Sequence, residues 1–267
     1  MADPVRELLD AARPRLQAAG PRVLARVAGE LFTLAGVLTR ELRLRRALAD
    51  PALPAELKRG LLAELLGGKA HEVTLALLGD VVGGPRLAPV VLVDAIEALG
   101  AQALFTKAEA DGKLDDVEDQ LFRFARLLER EHGLRLALAD PALPDERKLA
   151  VLDDLLGRRA DAGTLALVRQ VVLAPRGRTA ERALDDLARA AAAFRGQVIA
   201  VVTTAVPLDP ARAERLAAVL SRSQGRPVRL QQLIDPSIMG GVIVRIGDEI
   251  IDGSVRRQLA RARTELG

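Results

Sequence analysis

The chain has 267 residues and a mass of 28.5 kDa, enough to bury a core in one to three domains. Hydrophobic residues make up 49%, yet the aromatics are five Phe with no Trp or Tyr, which argues for Ala-, Leu- and Val-rich helices and against stacking platforms for single-stranded nucleic acid. The net charge of +3 comes from 39 basic residues, mostly Arg, mixed with 36 acidic ones, so no basic block marks a nucleic-acid surface, and the lack of Cys excludes disulfides and thiolate sites.

The opening stretch "MADPVRELLD" is charged and unlike a signal peptide, and no uninterrupted apolar run approaches the roughly 20 residues of a membrane span. A soluble chain is expected, with membrane association only through partners. Its strongest internal signal is a duplication. "ALADPALP" occurs at 47–54 and again at 137–144, and the offset of 90 gives 31 identities over the 56 positions from Leu31 to Arg86.

The copied unit reads as helical. Leu31, Leu34, Ala35 and Leu38 follow helical spacing, as do Leu121, Phe124, Ala125 and Leu128. After the proline turn, a second helix carries Leu61, Leu62, Leu65 and Leu66, matched by Val151, Leu152, Leu155 and Leu156. It should end in left-handed turns at Gly67 and Gly157. A third helix uses Thr74, Leu77, Leu78 and Val81, matched by Thr164, Leu167, Val168 and Val171, and stops before Pro85-Arg86 and Pro175-Arg176. A fourth spans about 90–106 and about 179–194. The stretch "KAEADGKLDDVED" (107–119) reads as a connector between copies, its carboxylates favouring the next helix N-terminus.

Beyond Gly196 the pattern changes. "VIAVVTTAV" (198–206) reads as a strand, and Asp209-Pro210 as the cap and first turn of a helix through Ala213, Leu216, Ala217 and Leu220. "VRLQQLI" (228–234) alternates, with Val228, Leu230 and Ile234 on one face, and "VIVRIG" (242–247) alternates too. Ser254 would cap a closing helix through Val255, Leu259 and Ala262, a basic amphipathic segment with Arg256, Arg257, Arg261 and Arg263. The expected fold is mainly α with a small α/β C-terminal domain: two tandem helical bundles, 1–113 and 114–195, then a β-α-β-β-α unit, 196–267.

No chemistry assembles from these residues. Gly240-Gly241 precede a strand, not a helix N-terminus, so a turn or bulge is a better reading than a phosphate loop. Asp252-Gly253-Ser254 reads as a turn and cap. The pairs Asp153-Asp154 and Asp185-Asp186 are sequence neighbours pointing apart, His71 and His132 occupy non-equivalent positions, and no serine has a nearby activating histidine. No catalytic, cofactor or metal residues are therefore assigned.

The run from Val202 to Leu259, "VTTAVPLD…GRPVRLQQLIDPSIMGGVIVRIGDEIIDGSVRRQL", resembles the delta subunit family of F-type ATP synthases, similar to the oligomycin-sensitivity-conferring protein. The residues that carry the resemblance are Thr203–Leu208, Asp235, Pro236, Gly240, Gly241, Gly247, Asp248, Ile251, Asp252, Gly253 and Ser254. "DPALP…K" and "VVLAPRGR" upstream look like the family's helical domain. The resemblance implies a non-catalytic stator without cofactors, peripheral on the cytoplasmic face of the cell membrane. Its helical bundle would grip N-terminal segments of the alpha subunits, and its α/β end would hold the b subunits of the peripheral stalk. Ordinary members have one helical domain, so residues before about 113 are an extra copy, and sequence order favours the second copy for the family's binding position.

Overall fold

The computed structural model describes residues 3–238, 240–247 and 249–252. It divides into two compact units, Met1–Leu187 and Ala188–Gly267, a mainly helical part and a small α/β part.

In the first unit, α1 (Pro4–Gln17) precedes two series of helices. The first is α2 (Pro21–Arg40), α3 (Leu42–Ala49), α4 (Ala55–Leu66), α5 (Glu72–Gly83) and α6 (Pro89–Ala110). The second is α7 (Leu114–Arg130), α8 (His132–Ala139), α9 (Asp145–Leu156), α10 (Ala162–Leu173) and α11 (Ala180–Phe194), the last of which crosses the division between units. Three of these pairs have bounds displaced by the same 90 residues. The expected apolar positions of α2, α5, α7 and α10 are core, with Leu31, Leu38, Leu77 and Leu78 answered by Leu121, Leu128, Leu167 and Val168, but in α4 and α9 only Leu62 and Leu152 of the expected set are buried and Leu65 is exposed. The proline turns form alike: the Asp50 and Asp140 carboxylates accept from the backbone N–H of Ala52 and Ala142, each at 2.8 Å.

Two further expectations change in this unit. The connector shrinks to Asp111–Lys113, because Lys107–Ala110 extend α6 and the buried Leu114 and Val117 already belong to α7. Gly67 is left-handed at φ 52, but Gly157 is right-handed at φ −57. Gly68 continues the left-handed path at φ 68 in the first copy, whereas the second has Arg158 there, for which positive φ is costly. A side chain at Gly157 would still bring Cβ within 2.6 Å of the Asp153 carbonyl oxygen, so the glycine answers a close approach instead.

Among the described residues α6 is also long and apolar enough to cross a membrane. Its apolar stretch is nevertheless 67% buried within the fold, against α1, α2, α3 and α5 with further contacts to α7 and α10. A helix apolar on all sides is one surrounded by others. At Gly100 the Phe32 ring of α2 comes so close that an added Cβ would lie 2.6 Å from it.

The second unit holds β1 (Val198–Thr204), α12 (Pro210–Gln224), β2 (Val228–Ile234), β3 (Val242–Ile246) and β4 (Glu249–Asp252), in sheet order β2-β1-β3-β4. Asp209 caps α12, accepting from the Arg212 N–H at 2.9 Å, and the helix supplies the crossover that parallel β1 and β2 require. Ala200, Val202, Leu220, Val228, Val244 and Ile246 form the core. β4 was not expected: "EIID" is too short to show a period, and it pairs antiparallel with β3 through a turn at Gly247 (φ 58). Ile234, at the end of β2, is exposed, whereas Val228 is buried and Leu230 half-buried. The expected closing helix, with Gly253, Ser254 and its arginines, lies outside the described residues.

Candidate functional site

The duplicated unit repeats polar arrangements as well as apolar ones. The Glu30 carboxylate of α2 accepts from the His71 N–H at 2.9 Å and from the Thr74 hydroxyl at 2.5 Å. Ninety residues on, the Gln120 side-chain oxygen accepts from the Asp161 N–H and the Thr164 hydroxyl, at 2.9 and 2.7 Å. His71 and Asp161 in turn cap α5 and α10 with their side chains. The first histidine is therefore a helix cap, an option for the ring nitrogen that its mismatch with Asp161 concealed. For Glu30, burial favours the neutral acid, but hydrogen bonds from Thr74, His71 and Arg26 outweigh it and hold the carboxyl below its ordinary value.

Lys58 and Lys148 are likewise equivalent and nearly buried in the first turns of α4 and α9, and neither ammonium has a hydrogen-bond or ion-pair partner among the described residues. The "DPALP…K" motif marks both lysines, but spacing alone does not distinguish them from solvated ones; their burial appears only when the proline turn folds over them.

The copies diverge beside their Pro-Arg loops. Arg176 has φ 46, making it the one non-glycine with positive φ among the described residues. Its guanidinium pairs with Glu97 of α6 and, at 2.7 Å, with Asp94. Gln170 of α10 donates to Glu97 at 2.8 Å, and Arg178 lies 3.6 Å from it. Burial pushes the Glu97 carboxyl above its ordinary value despite these partners. In the first copy, the equivalent of Arg176 is Arg86, exposed and without a partner among the described residues, and the equivalent of Glu97 is Glu7 of α1, also exposed. Arg86 and Lys58 line a pocket of about 250 Å3 between the proline turn and the α5–α6 loop.

Among the described sequence-derived positions of the α/β unit, Asp235, Pro236, Gly240, Gly241 and Asp252 gather at one end of the sheet. Asp235 donates its N–H to the Thr204 carbonyl at 2.9 Å, and its carboxylate accepts from the Ser237 N–H at 2.9 Å. Hydrogen bonds from the Ser237 side chain and backbone hold this carboxyl below its ordinary value. Pro236 continues the turn. Gly240 and Gly241, at φ 121 and φ 84, then lead into β3, whose Val242 lies opposite Thr204. The segment thus rounds the end of β1, from its parallel neighbour to its antiparallel one. Asp252, opposite Ile243, is close to this end, and Gly247 is at the far end of β3.

Asp153 pairs with Arg169 and Asp185 with Arg126, so each is engaged in an ion pair. The Ser221 hydroxyl accepts from the Val228 N–H at 2.9 Å. Among the described residues no group of three or more His, Asp or Glu could hold a metal ion.

A sequence profile described as ATP synthase delta (OSCP) subunit matches residues 96–266, starting inside α6. The chain is 45% identical over 241 residues to ATP synthase subunit delta of Parafrankia sp. (strain EAN1pec), covering 90% of this chain and 86% of the relative. It is 42% identical over 260 residues to ATP synthase subunit delta of Streptomyces griseus subsp. griseus, covering 96% of each. A chain in the cryo-EM structure of the Toxoplasma gondii mitochondrial ATP synthase hexamer overlaps loosely, at 24% identity and a TM-score of 0.36, over 62% of this chain and 94% of that one.

Proposed function

The chain belongs to the ATP synthase delta (OSCP) subunit family, and we propose that it is a non-catalytic stator component on the cytoplasmic face of the cell membrane. It links the alpha/beta catalytic head to the membrane-anchored b subunits of the peripheral stalk, so that rotation drives ATP synthesis instead of turning the head. The observation that carries this reading is the extent of the family match. It takes in α6 from residue 96, the second bundle and the α/β unit, and the Streptomyces relative shares the long form almost end to end. The second bundle takes the alpha-subunit N-terminal segments, and the α/β unit takes the b subunits. The proposed domains are 1–113, 114–195 and 196–267.

Capture of the tagged chain from gently solubilised membranes tests this. Recovery of alpha and b subunits is expected, and recovery of an unrelated set of proteins would refute it. Asp235, Pro236, Gly240, Gly241, Gly247, Asp252, Gly253 and Ser254 are proposed as residues of backbone geometry, not of ligand contact. Gly241→Val should accordingly lower the melting temperature of the α/β unit, because β-branched residues are strained at positive φ. A variant that melts like the parent but releases the b subunits would make Gly241 a contact residue.

A further inference from the structure

The pocket of the first bundle combines apolar walls with unanswered positive charge. Leu48, Leu53, Val81, Val82, Leu87 and Leu92 line it, and its cations are Lys58 and Arg86. Lys58 is only 7% exposed, yet its ammonium meets no acceptor among the described residues. Its place in the first turn of α4 sets it against the helix dipole as well. The stem is packed away while the ammonium keeps access to solvent at the pocket, so a carboxylate entering there would meet an unpaired cation beside apolar surface. Arg86 stands exposed at the same pocket, while its counterpart Arg176 is already held by Asp94 and Glu97.

We infer that this pocket receives one acidic side chain, Asp or Glu, carried on an aliphatic segment of another subunit of the assembly. Lys58 takes the carboxylate at the apolar wall, and Arg86 pairs with it from the mouth. Charge complementarity names the anion, and two features favour a polypeptide over a free metabolite. At about 250 Å3 the pocket is smaller than the roughly 300–1,000 Å3 typical of small-molecule sites. Leu57 and Val90, chain neighbours of the pocket-lining segments, are 60% and 58% exposed, and a docked segment could cover them where a small acid would not. The second bundle keeps the lysine but has committed the arginine internally, so the two copies offer different surfaces to the assembly.

This inference rests on membership of a multisubunit complex, and the test separates the two. The full chain, alone and within purified ATP synthase, is acetylated with a mass-spectrometric readout and separately treated with a carbodiimide, which joins an amine to an adjacent carboxylate. Lys58 should react with the acetylating reagent in the free chain and lose that reactivity in the complex. The carbodiimide should link Lys58 to an Asp or Glu of another subunit. Lys58→Met should melt at or above the parent temperature, since the apolar stem is kept and the ammonium removed. Its affinity for the cross-linked subunit should fall by about tenfold or more. Equal acetylation in both states, shielding without a cross-link, or unchanged affinity of Lys58→Met would each overturn the inference while leaving the stator reading intact. A chain that fails to co-purify with ATP synthase subunits would overturn both.

Discussion

The two helical bundles share helix bounds, proline turns and buried leucines, yet they are closed differently. In the second, α6 lies where α1 lies in the first, and Glu97 ties it to Gln170, Arg176 and Arg178. In the first, the corresponding Glu7 and Arg86 are both exposed and do not pair. The clamp includes a backbone strain at Arg176 and a carboxyl whose burial outweighs its partners, so the pair secures geometry more than it adds stability. A duplicated fold preserves what its core needs, and polar closures are free to diverge.

The largest test of this contrast is Glu97→Ala against Glu7→Ala. The first leaves Arg176 nearly buried with one remaining carboxylate and should destabilise the fold by about 3 kcal/mol in urea titration. Glu7→Ala should leave the midpoint unchanged. Arg176→Ala should cost less than Glu97→Ala, because a carboxyl stripped of its partner can take up a proton whereas a guanidinium cannot lose one. Equal effects at Glu97 and Glu7 would erase the distinction.

Next in size is Gly100→Ala, which brings Cβ to 2.6 Å from the Phe32 ring and should cost about 2 kcal/mol through overpacking. Thermal melting that shows no loss would mean α2 and α6 can separate without penalty.

A smaller effect separates the two helix-ending glycines. Gly67→Asn should cost little, since Asn tolerates the left-handed region, whereas Gly157→Asn should lose about 1 kcal/mol or more by crowding the Asp153 carbonyl. Equal melting temperatures would mean that both glycines answer the same constraint.

The smallest is Glu30→Gln, which copies Gln120 and keeps an oxygen for the His71 N–H and the Thr74 hydroxyl. The Glu30 carboxyl is held below its ordinary value, so its contribution is present above the unfolded value and is lost as pH falls through the folded one. The parent should therefore be modestly more stable than Glu30→Gln at neutral pH, and the gap should close on acidification. A gap that widens in acid would reverse the assigned sign.

Much of this was legible in the sequence because apolar spacing and proline turns are local signals. The leucines paired between α2 and α7 and between α5 and α10, and the cap at Asp209, reached the structure as read. The candidate pocket was not legible. The "DPALP…K" motif marks Lys58 but not the pocket that the proline turn makes over it, and Glu97 is distinguished only by Arg176, 79 residues away. β4 was missed because four residues hold no period, and Gly157 was misjudged because its neighbour Arg158, not the glycine itself, decides the turn.

The position of α6 has a mechanical consequence. Two beads on a string can swivel about the string, but two rings that share a link cannot. Because one helix is packed against members of both series, with only Asp111–Lys113 before α7, bending between the bundles would require prising α6 out of a core. A load applied to either bundle is carried by the same rod, and no joint lies between them.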